Sequence, residues 1–464
     1  VADAPDTFGG MTASAYLNAL IKKYDVPVPR YTSYPTVPAW KTKLFHSGGW
    51  EDAVRKCFDE TNDSRGISVY IHLPFCESVC TYCACNTRIT KNHAVEVPYS
   101  RALREEWSHY LRLFGRKPVI RELHLGGGTP TFFSPEHLRS ILEPIIGSGK
   151  ETSHGKFSFE GHPNNTTREH LQVLYDLGFR RVSYGVQDLD ERVQRAIHRI
   201  QPAEKVESAV RMSREIGYTS VSFDLVYGLP FQTLESVRST VKQLISLHPD
   251  RIAFYSYAHV PWLKPGQRGY EDADLPSDVE KRALYEAGRS LFLEAGYEDI
   301  GMDHFALPAD ALSMARKEGY LHRNFMGYTT SRSELLIGLG ASAISDAKYA
   351  YAQNEKKAEE YQSMIASEGN AVVKGHLMSD EDLKIRRAIL DLACLGRLQT
   401  PLLNELESAE ITAQLTVFEE EGLIERSAPG IHITPAGRMF IRNICSAFDR
   451  YYTGASANVF SKAI

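Results

Sequence analysis

A chain of 464 residues that is 43% hydrophobic and 24% charged can bury a large core and carry an accessory domain. Its formal net charge of −5 gives no basic footprint, which argues against nucleic acid and for a small molecule as partner. No apolar run is long enough to span a membrane, and the opening VADAPDTFGG lacks the regions of a signal peptide, so a cytoplasmic protein is expected.

Residues 1–66 are expected to form an N-terminal arm with helices. Within them PRYTSYP (29–35), with Pro at both ends, predicts an extended, docked segment. From 67 to 300 short β-branched and aromatic runs alternate with stretches of helical period, the mark of βα units around a parallel sheet. Six strands are predicted: SVYIHL (68–73), RELHL (121–125), KFSFE (156–160), RRVSYG (180–185), SVSFDLVYG (220–228) and RIAFYSYA (251–258). Between them, SPEHLRSILEPII carries Ser134 as N-cap and apolar Leu138, Ile141, Leu142 and Ile145 at helical spacing, and TREHLQVLYDLGF ends at Gly178. A further helix is expected over 279–296.

Such a chain predicts an α/β fold, an incomplete (β/α)6 barrel of the TIM type, open enough for a bulky substrate. Residues 301–375 extend and connect the barrel, with 300–345 expected to be Gly-rich and irregular. The stretch 376–464 predicts a mainly helical, winged-helix-like domain with a hairpin around Pro429-Gly430, acting as a cap and not as a DNA reader in so acidic a chain.

Polar residues gather where each predicted strand ends: the Cys-rich loop 76–85, Gly126–Thr129, Glu160, Gln187, Asp224 with Gly228, and Tyr255–Ala258. That end of a barrel is where its enzymes keep their active sites. Four of the seven cysteines, Cys76, Cys80, Cys83 and Cys85, share the first loop, whereas Cys57, Cys394 and Cys445 are scattered and expected to pack as small hydrophobes. The clustering points to metal in a reducing compartment. Three thiolates holding an iron cluster leave one iron open, as a catalytic site requires. The competing reading is a structural zinc on all four thiols.

Cys76-x3-Cys80-x2-Cys83, with Tyr82 before the last cysteine, resembles the radical S-adenosylmethionine (SAM) superfamily, and Leu125-Gly126-Gly127-Gly128-Thr129-Pro130 resembles its glycine segment. The resemblance implies a [4Fe–4S] cluster on Cys76, Cys80 and Cys83 whose open iron binds SAM and passes it an electron. The products are methionine and a 5′-deoxyadenosyl radical. Cys85 is typical of such chains without being a ligand.

Over residues 29–445 the chain also resembles the oxygen-independent coproporphyrinogen III oxidases. The matching segments include PRYTSYP, YIHLPFC, HLGGGTPT, YGVQD, FDLVYGLP, SYAHVP, GMDHFA, LHRNF, GYTT, SAIS and IRNIC. That resemblance implies one SAM against Tyr70, Gly127, Glu160 and Ile344. A second site would comprise Tyr82, Gly128, Thr129, Gln187, Arg199, Asp224 and Ala258. The implied reaction converts two propionates of coproporphyrinogen III to vinyl groups, giving protoporphyrinogen IX in haem biosynthesis. A reductant such as flavodoxin or ferredoxin and a monomeric state are expected with it.

A tetracarboxylate substrate needs cationic and hydroxyl partners, for which Arg30, Tyr31 and Arg323 are the candidates. The chain departs from the family pattern at Ala84, at Gly161-His162 after Glu160, at Met326 and at Phe231. A haem chaperone or another tetrapyrrole-acting radical SAM enzyme of the same branch are the alternative readings.

Overall fold

The computed structural model of the protein describes residues 7–8, 11–42, 45–150, 155–262, 264–453 and 460–462. All six predicted strands form: β1 (Ile67–Leu73), β2 (Ile120–Gly127), β3 (Lys156–Gly161), β4 (Phe179–Gln187), β5 (Ser220–Tyr227) and β6 (Arg251–Ser256). Each pairs in parallel with the next. In β4 the period of two sorts the side chains between faces. Val182, Tyr184 and Val186 are buried, with the Tyr184 hydroxyl 2.8 Å from Ser213 Oγ on the helix Ala203–Ile216. Arg181, Ser183, Gly185 and Gln187 take the other face and line the lumen.

The helices between strands begin and end where local chemistry directs. Ser134 accepts from the His137 amide at 3.2 Å, and Leu138, Ile141, Leu142 and Ile145 turn into the core. Gly178, at φ 96°, follows the end of the helix Arg168–Asp176. The helix expected over 279–296 spans Asp278–Glu294.

The region expected to be irregular is where the structure departs from the sequence reading. It carries β7 (Glu298–Gly301), β8 (His304–Ala306), β9 (Leu335–Leu339) and β10 (Ile344–Asp346), followed by β11 (Ala350–Asn354) and β12 (Val372–Leu377). The sheet runs β7-β8-β6-β5-β4-β3-β2-β1-β9-β10-β11-β12. β9 lies parallel to β1 as a seventh parallel strand, and all five of its residues are buried. A strand covered on both faces shows no alternation, so LLIGL gives no period-two signal. The sheet curls: Lys264 Nζ, after β6, donates to Ala84 O at 2.8 Å, and Gln267 Nε2 to Tyr82 O at 3.4 Å, joining the loop after the sixth strand to the loop after the first.

One buried carboxylate fixes the seventh strand's exit. Glu106, on the helix Glu96–Phe114, accepts from Gly340 N (2.8 Å), Asn354 Nδ2 (2.6 Å) and the Tyr361 hydroxyl (2.6 Å). Tyr99 on the same helix donates to His72 O (2.9 Å) and accepts from Ala341 N (2.8 Å), tying that loop to β1.

The chain divides into two compact units, Lys41–Lys317 with Thr329–Met378, and Val1–Trp40 with Glu318–Tyr328 and Ser379–Ile464. In the smaller, the helices Asp380–Leu395, Thr400–Leu406 and Ala409–Glu420 accompany a three-stranded sheet of Arg397–Gln399, Gly430–Ile433 and Ile424–Ser427. The last two strands form the hairpin expected around Pro429-Gly430. The segment 29–35 is held without helix: Arg442 Nε donates to Pro29 O at 3.2 Å, and the Tyr31 hydroxyl to Asp449 at 3.1 Å. Cys57, Cys394 and Cys445 are buried, as packing residues should be.

Burial pushes Glu106 up to about 7 against its three hydrogen bonds, so protonation is favoured in the folded state. Its contribution to stability is therefore complete below the ordinary glutamate range and is lost as pH rises through 7. Denaturant unfolding across this window should show stability falling by about 1.4 kcal/mol per pH unit from this one group. Glu106→Gln should remove that component of the slope.

Candidate functional site

The Cys-rich loop starts where β1 ends, and backbone bonds hold it before any ligand is considered. Gly128 N donates to Leu73 O (2.9 Å), Thr129 N to Phe75 O (3.1 Å), Arg88 N to Pro74 O (2.8 Å) and Thr90 N to Cys76 O (2.9 Å). Farther along, Thr81 N donates to Ile197 O at 3.0 Å and Cys83 N to Cys80 O at 3.1 Å. Tyr82 packs among Val193, Ile197, Val226, Leu229, Tyr257 and Tyr270.

Each thiol has its own surroundings. Cys76 Sγ lies 3.3 Å from the Thr129 hydroxyl, and burial pushes its thiol up to about 11. Arg199 Nη1 donates to Cys80 Sγ at 3.6 Å while Nη2 donates to Gly185 O at 2.5 Å. A hydrogen bond from Cys85 holds the Cys83 thiol down at about 6, with Lys264 and Arg199 adding to the effect, and the same contact drives Cys85 well up. Cys85 is the exposed member of the four. Among the described residues, no three His, Cys, Asp or Glu side chains are drawn together as around a single metal ion.

Beside the loop the predicted residues share one rim. The Tyr70 hydroxyl lies 3.0 Å from His72 Nδ1, whose Nε2 lies 2.9 Å from Asn86 O. Tyr70 stacks with His124, and His124 Nε2 reaches Glu160 Oε1 at 3.5 Å. Ser183 donates to Asp224 at 3.1 Å. Burial first, and the charge of Glu160 second, push Asp224 up to about 7. Gln187 stands in the left-handed region at φ 68°, an uncommon conformation for a residue other than glycine.

The glycine segment is shaped by its own neighbours. A Cβ at Gly126 would lie 2.9 Å from Glu160 Oε1, one at Gly127 (φ 115°) 2.8 Å from the His72 ring, and one at Gly128 2.5 Å from Pro74 O. Glycine here lets β2 lie against the loop after β1. Ala258 follows β6, and its carbonyl accepts from Gln267 at 3.2 Å. Ile344 opens β10, just past the loop that Glu106 and Tyr99 hold. Arg30, Tyr31 and Arg323 belong to the smaller unit, where Arg323 is 6% exposed, lies over the Tyr328 ring and has no hydrogen-bond partner at its buried Nε and Nη1.

Sequence reasoning passed over His72, His124, Ser183, Lys264 and Gln267. Of these, His72, His124 and Ser183 fall on the lumen face of predicted strands, which the period of two makes readable. The departures at 161–162 and 231 also acquire partners. The Tyr184 ring would meet a Cβ at Gly161 at 2.8 Å, and burial together with Arg199 holds His162 neutral, down at about 3. Phe231, at φ 64°, carries the Arg192 guanidinium 4.3 Å from its ring centroid.

A curled parallel sheet with three loop cysteines at its C-terminal rim is the arrangement of the Radical SAM superfamily, whose sequence profile matches residues 70–244. The oxygen-independent coproporphyrinogen III oxidase of Pseudomonas aeruginosa is 39% identical, over 96% of this chain and 98% of its own. The enzyme of that name from Escherichia coli is 38% identical over 93% and 95%. A solved structure of the Escherichia coli coproporphyrinogen III oxidase, described as a radical SAM enzyme, superposes with a TM-score of 0.86 at 36% identity, covering 94% of this chain and 99% of that one. The chain belongs to the oxygen-independent coproporphyrinogen III oxidase family. Membership brings the superfamily's cofactors, a [4Fe–4S] cluster and SAM.

The donor set fits them. Three thiols on one pinned loop, with a guanidinium at the second and a hydroxyl at the first, are soft anionic ligands with their charge partly balanced. Because Asp224 is raised in part by its neighbour, Glu160→Gln should lower the Asp224 pKa in the cluster-free protein. Infrared titration of the carboxyl band, with Asp224→Asn as the blank, measures this; an unmoved band shows that Glu160 does not act on Asp224.

Proposed function

We propose that this protein is an oxidoreductase that converts two propionate side chains of coproporphyrinogen III to vinyl groups, forming protoporphyrinogen IX in anaerobic haem biosynthesis. What carries the reading is near-full-length kinship with enzymes of that name, together with the three-thiol loop at the barrel rim. Cys76, Cys80 and Cys83 hold the cluster, and Tyr70, Gly127, Glu160 and Ile344 receive one SAM. Tyr82, Gly128, Thr129, Gln187, Arg199, Asp224 and Ala258 form a second SAM site. Cluster and SAM together supply one-electron, hydrogen-abstracting chemistry that no side chain provides.

The residues of the chain orient and neutralise. Arg199 spans Cys80 and the Gly185 carbonyl, keeping a positive charge beside the thiolates. Glu160, with His124 at 3.5 Å, offers a carboxylate to an ammonium group. Arg323, its guanidinium 4.7 Å from the Tyr328 ring centroid, has no hydrogen-bond acceptor at Nε and Nη1, which suits a propionate carboxylate. Arg30 is the second cation for that purpose. Tyr31, next to Arg30 in sequence, is the hydroxyl candidate, and its O–H is bonded to Asp449 in this structure.

A flavodoxin or ferredoxin is the electron donor. A reducing, cytoplasmic setting accords with seven cysteines that are all free, and no helix among the described residues is long and apolar enough to cross a membrane.

Anaerobic incubation of the reconstituted protein with SAM, reductant and coproporphyrinogen III should yield 5′-deoxyadenosine, CO2 and protoporphyrinogen IX. A methylated, ring-opened tetrapyrrole would assign the chain to another reaction, and haem binding without turnover to a chaperone. Cys76→Ser, Cys80→Ser and Cys83→Ser should each abolish both turnover and the cluster's visible absorbance, whereas Cys85→Ser should keep the absorbance. Arg323→Met should raise KM for the porphyrinogen about tenfold or more, the worth of one charge-assisted hydrogen bond.

A further inference from the structure

Away from the rim, at the other end of the strands, the lumen is lined by charge where barrels of this type are filled by branched apolar side chains. Register places the groups: Glu122 opposite Lys156, Ser158 opposite Arg181, Arg181 opposite Ser220, and Ser222 opposite Arg251. Lys156, Arg181 and Arg251 thus rise from β3, β4 and β6 into one space. Burial and then Arg251 hold the Arg181 guanidinium down at about 9, and burial with both arginines lowers Lys156.

The carboxylates in reach are already engaged. Glu122 accepts from Ser68 (2.8 Å) and Thr329 (2.6 Å), and Asp310 from Arg251 Nε (2.8 Å) and Leu312 N (2.7 Å). Asp250 is paired with Arg214 at 2.6 Å. Lys156 donates to the Thr330 hydroxyl. Setting Asp250 against Arg214, three cations face the two carboxylates Glu122 and Asp310, so one positive charge is left over. Arg181 Nε is buried with no hydrogen-bond partner, and so is Ser220 Oγ on the adjoining strand. Arg181 and Lys156 are half-buried, and it is the Nε edge of Arg181 that is withdrawn from water without an acceptor, a state that a hydrogen-bonding anion would relieve. An anion supplies the acceptor for the N–H and the opposite charge together.

We propose that the base of the lumen binds a small monovalent inorganic anion, of the size of chloride, between the Arg181 guanidinium and the Ser220 hydroxyl. Lys156 and Arg251 provide the surrounding positive field. The site is independent of the cluster and of the reaction assigned above, and it acts by completing the charge balance of the sheet's interior.

The test follows the unfolding midpoint of the cluster-loaded protein as chloride replaces gluconate at constant ionic strength. A site that binds only the folded chain raises the midpoint along a saturating curve. The expected result is a saturable rise of several degrees that Arg181→Met abolishes. No rise, or an equal rise in the variant, overturns the proposal. Should Arg181→Met not fold, crystals of the unaltered protein soaked in bromide decide the matter. An anomalous peak within hydrogen-bonding distance of Arg181 and Ser220 supports the site, and water or nothing at that position refutes it.

Discussion

The rim depends on one strand being gripped from both sides. β1 is hydrogen-bonded in parallel to β2 on one edge and to β9 on the other, so the residue that begins the Cys-rich loop has no freedom inherited from an open edge. From there Leu73, Pro74 and Phe75 pass their carbonyls to Gly128, Arg88 and Thr129. A loop of three thiols has little hydrophobic content of its own with which to hold a shape. It borrows that shape from a ladder on either side and from glycines that let the neighbouring strand come close.

The second requirement is electrical. Thiolates that sit close together repel, and burial alone drives a thiol toward its neutral form, as at Cys76. Arg199 answers this at Cys80, and Lys264 adds a cation whose ammonium is fixed on the Ala84 carbonyl. Both come from elements distant in sequence from the loop. The curl of the sheet is what delivers them, so architecture and thiol chemistry are parts of one solution.

Much of this was legible in the sequence because it follows short-range rules. Alternating faces, caps such as Ser134 and the change of period between strand and helix revealed the six strands and their order. The rim residues followed, since a parallel sheet presents all its strand ends on one side. β9 escaped notice because full burial erases alternation. Glu106 escaped for a different reason: a glutamate in a helix is ordinarily solvated, and its partners Gly340, Asn354 and Tyr361 lie more than two hundred positions away. A sign was nevertheless present, since Glu106 is spaced by three and four residues from Leu103 and Tyr110 on the helix's apolar stripe. Met326 shows the limit of such reading; its amide bonds to Asn324 Oδ1 at 2.9 Å, and nothing in the structure explains the side chain chosen there.

The loop's backbone is satisfied by the protein's own amides and carbonyls, and this bears on how such a molecule is assembled. Small zinc domains are shapeless until the metal arrives, because the metal is their core. Here amides of β2's exit and of residues 88 and 90 already take the carbonyls of residues 73–76, so the backbone at the first thiol owes its course to the sheet and not to iron.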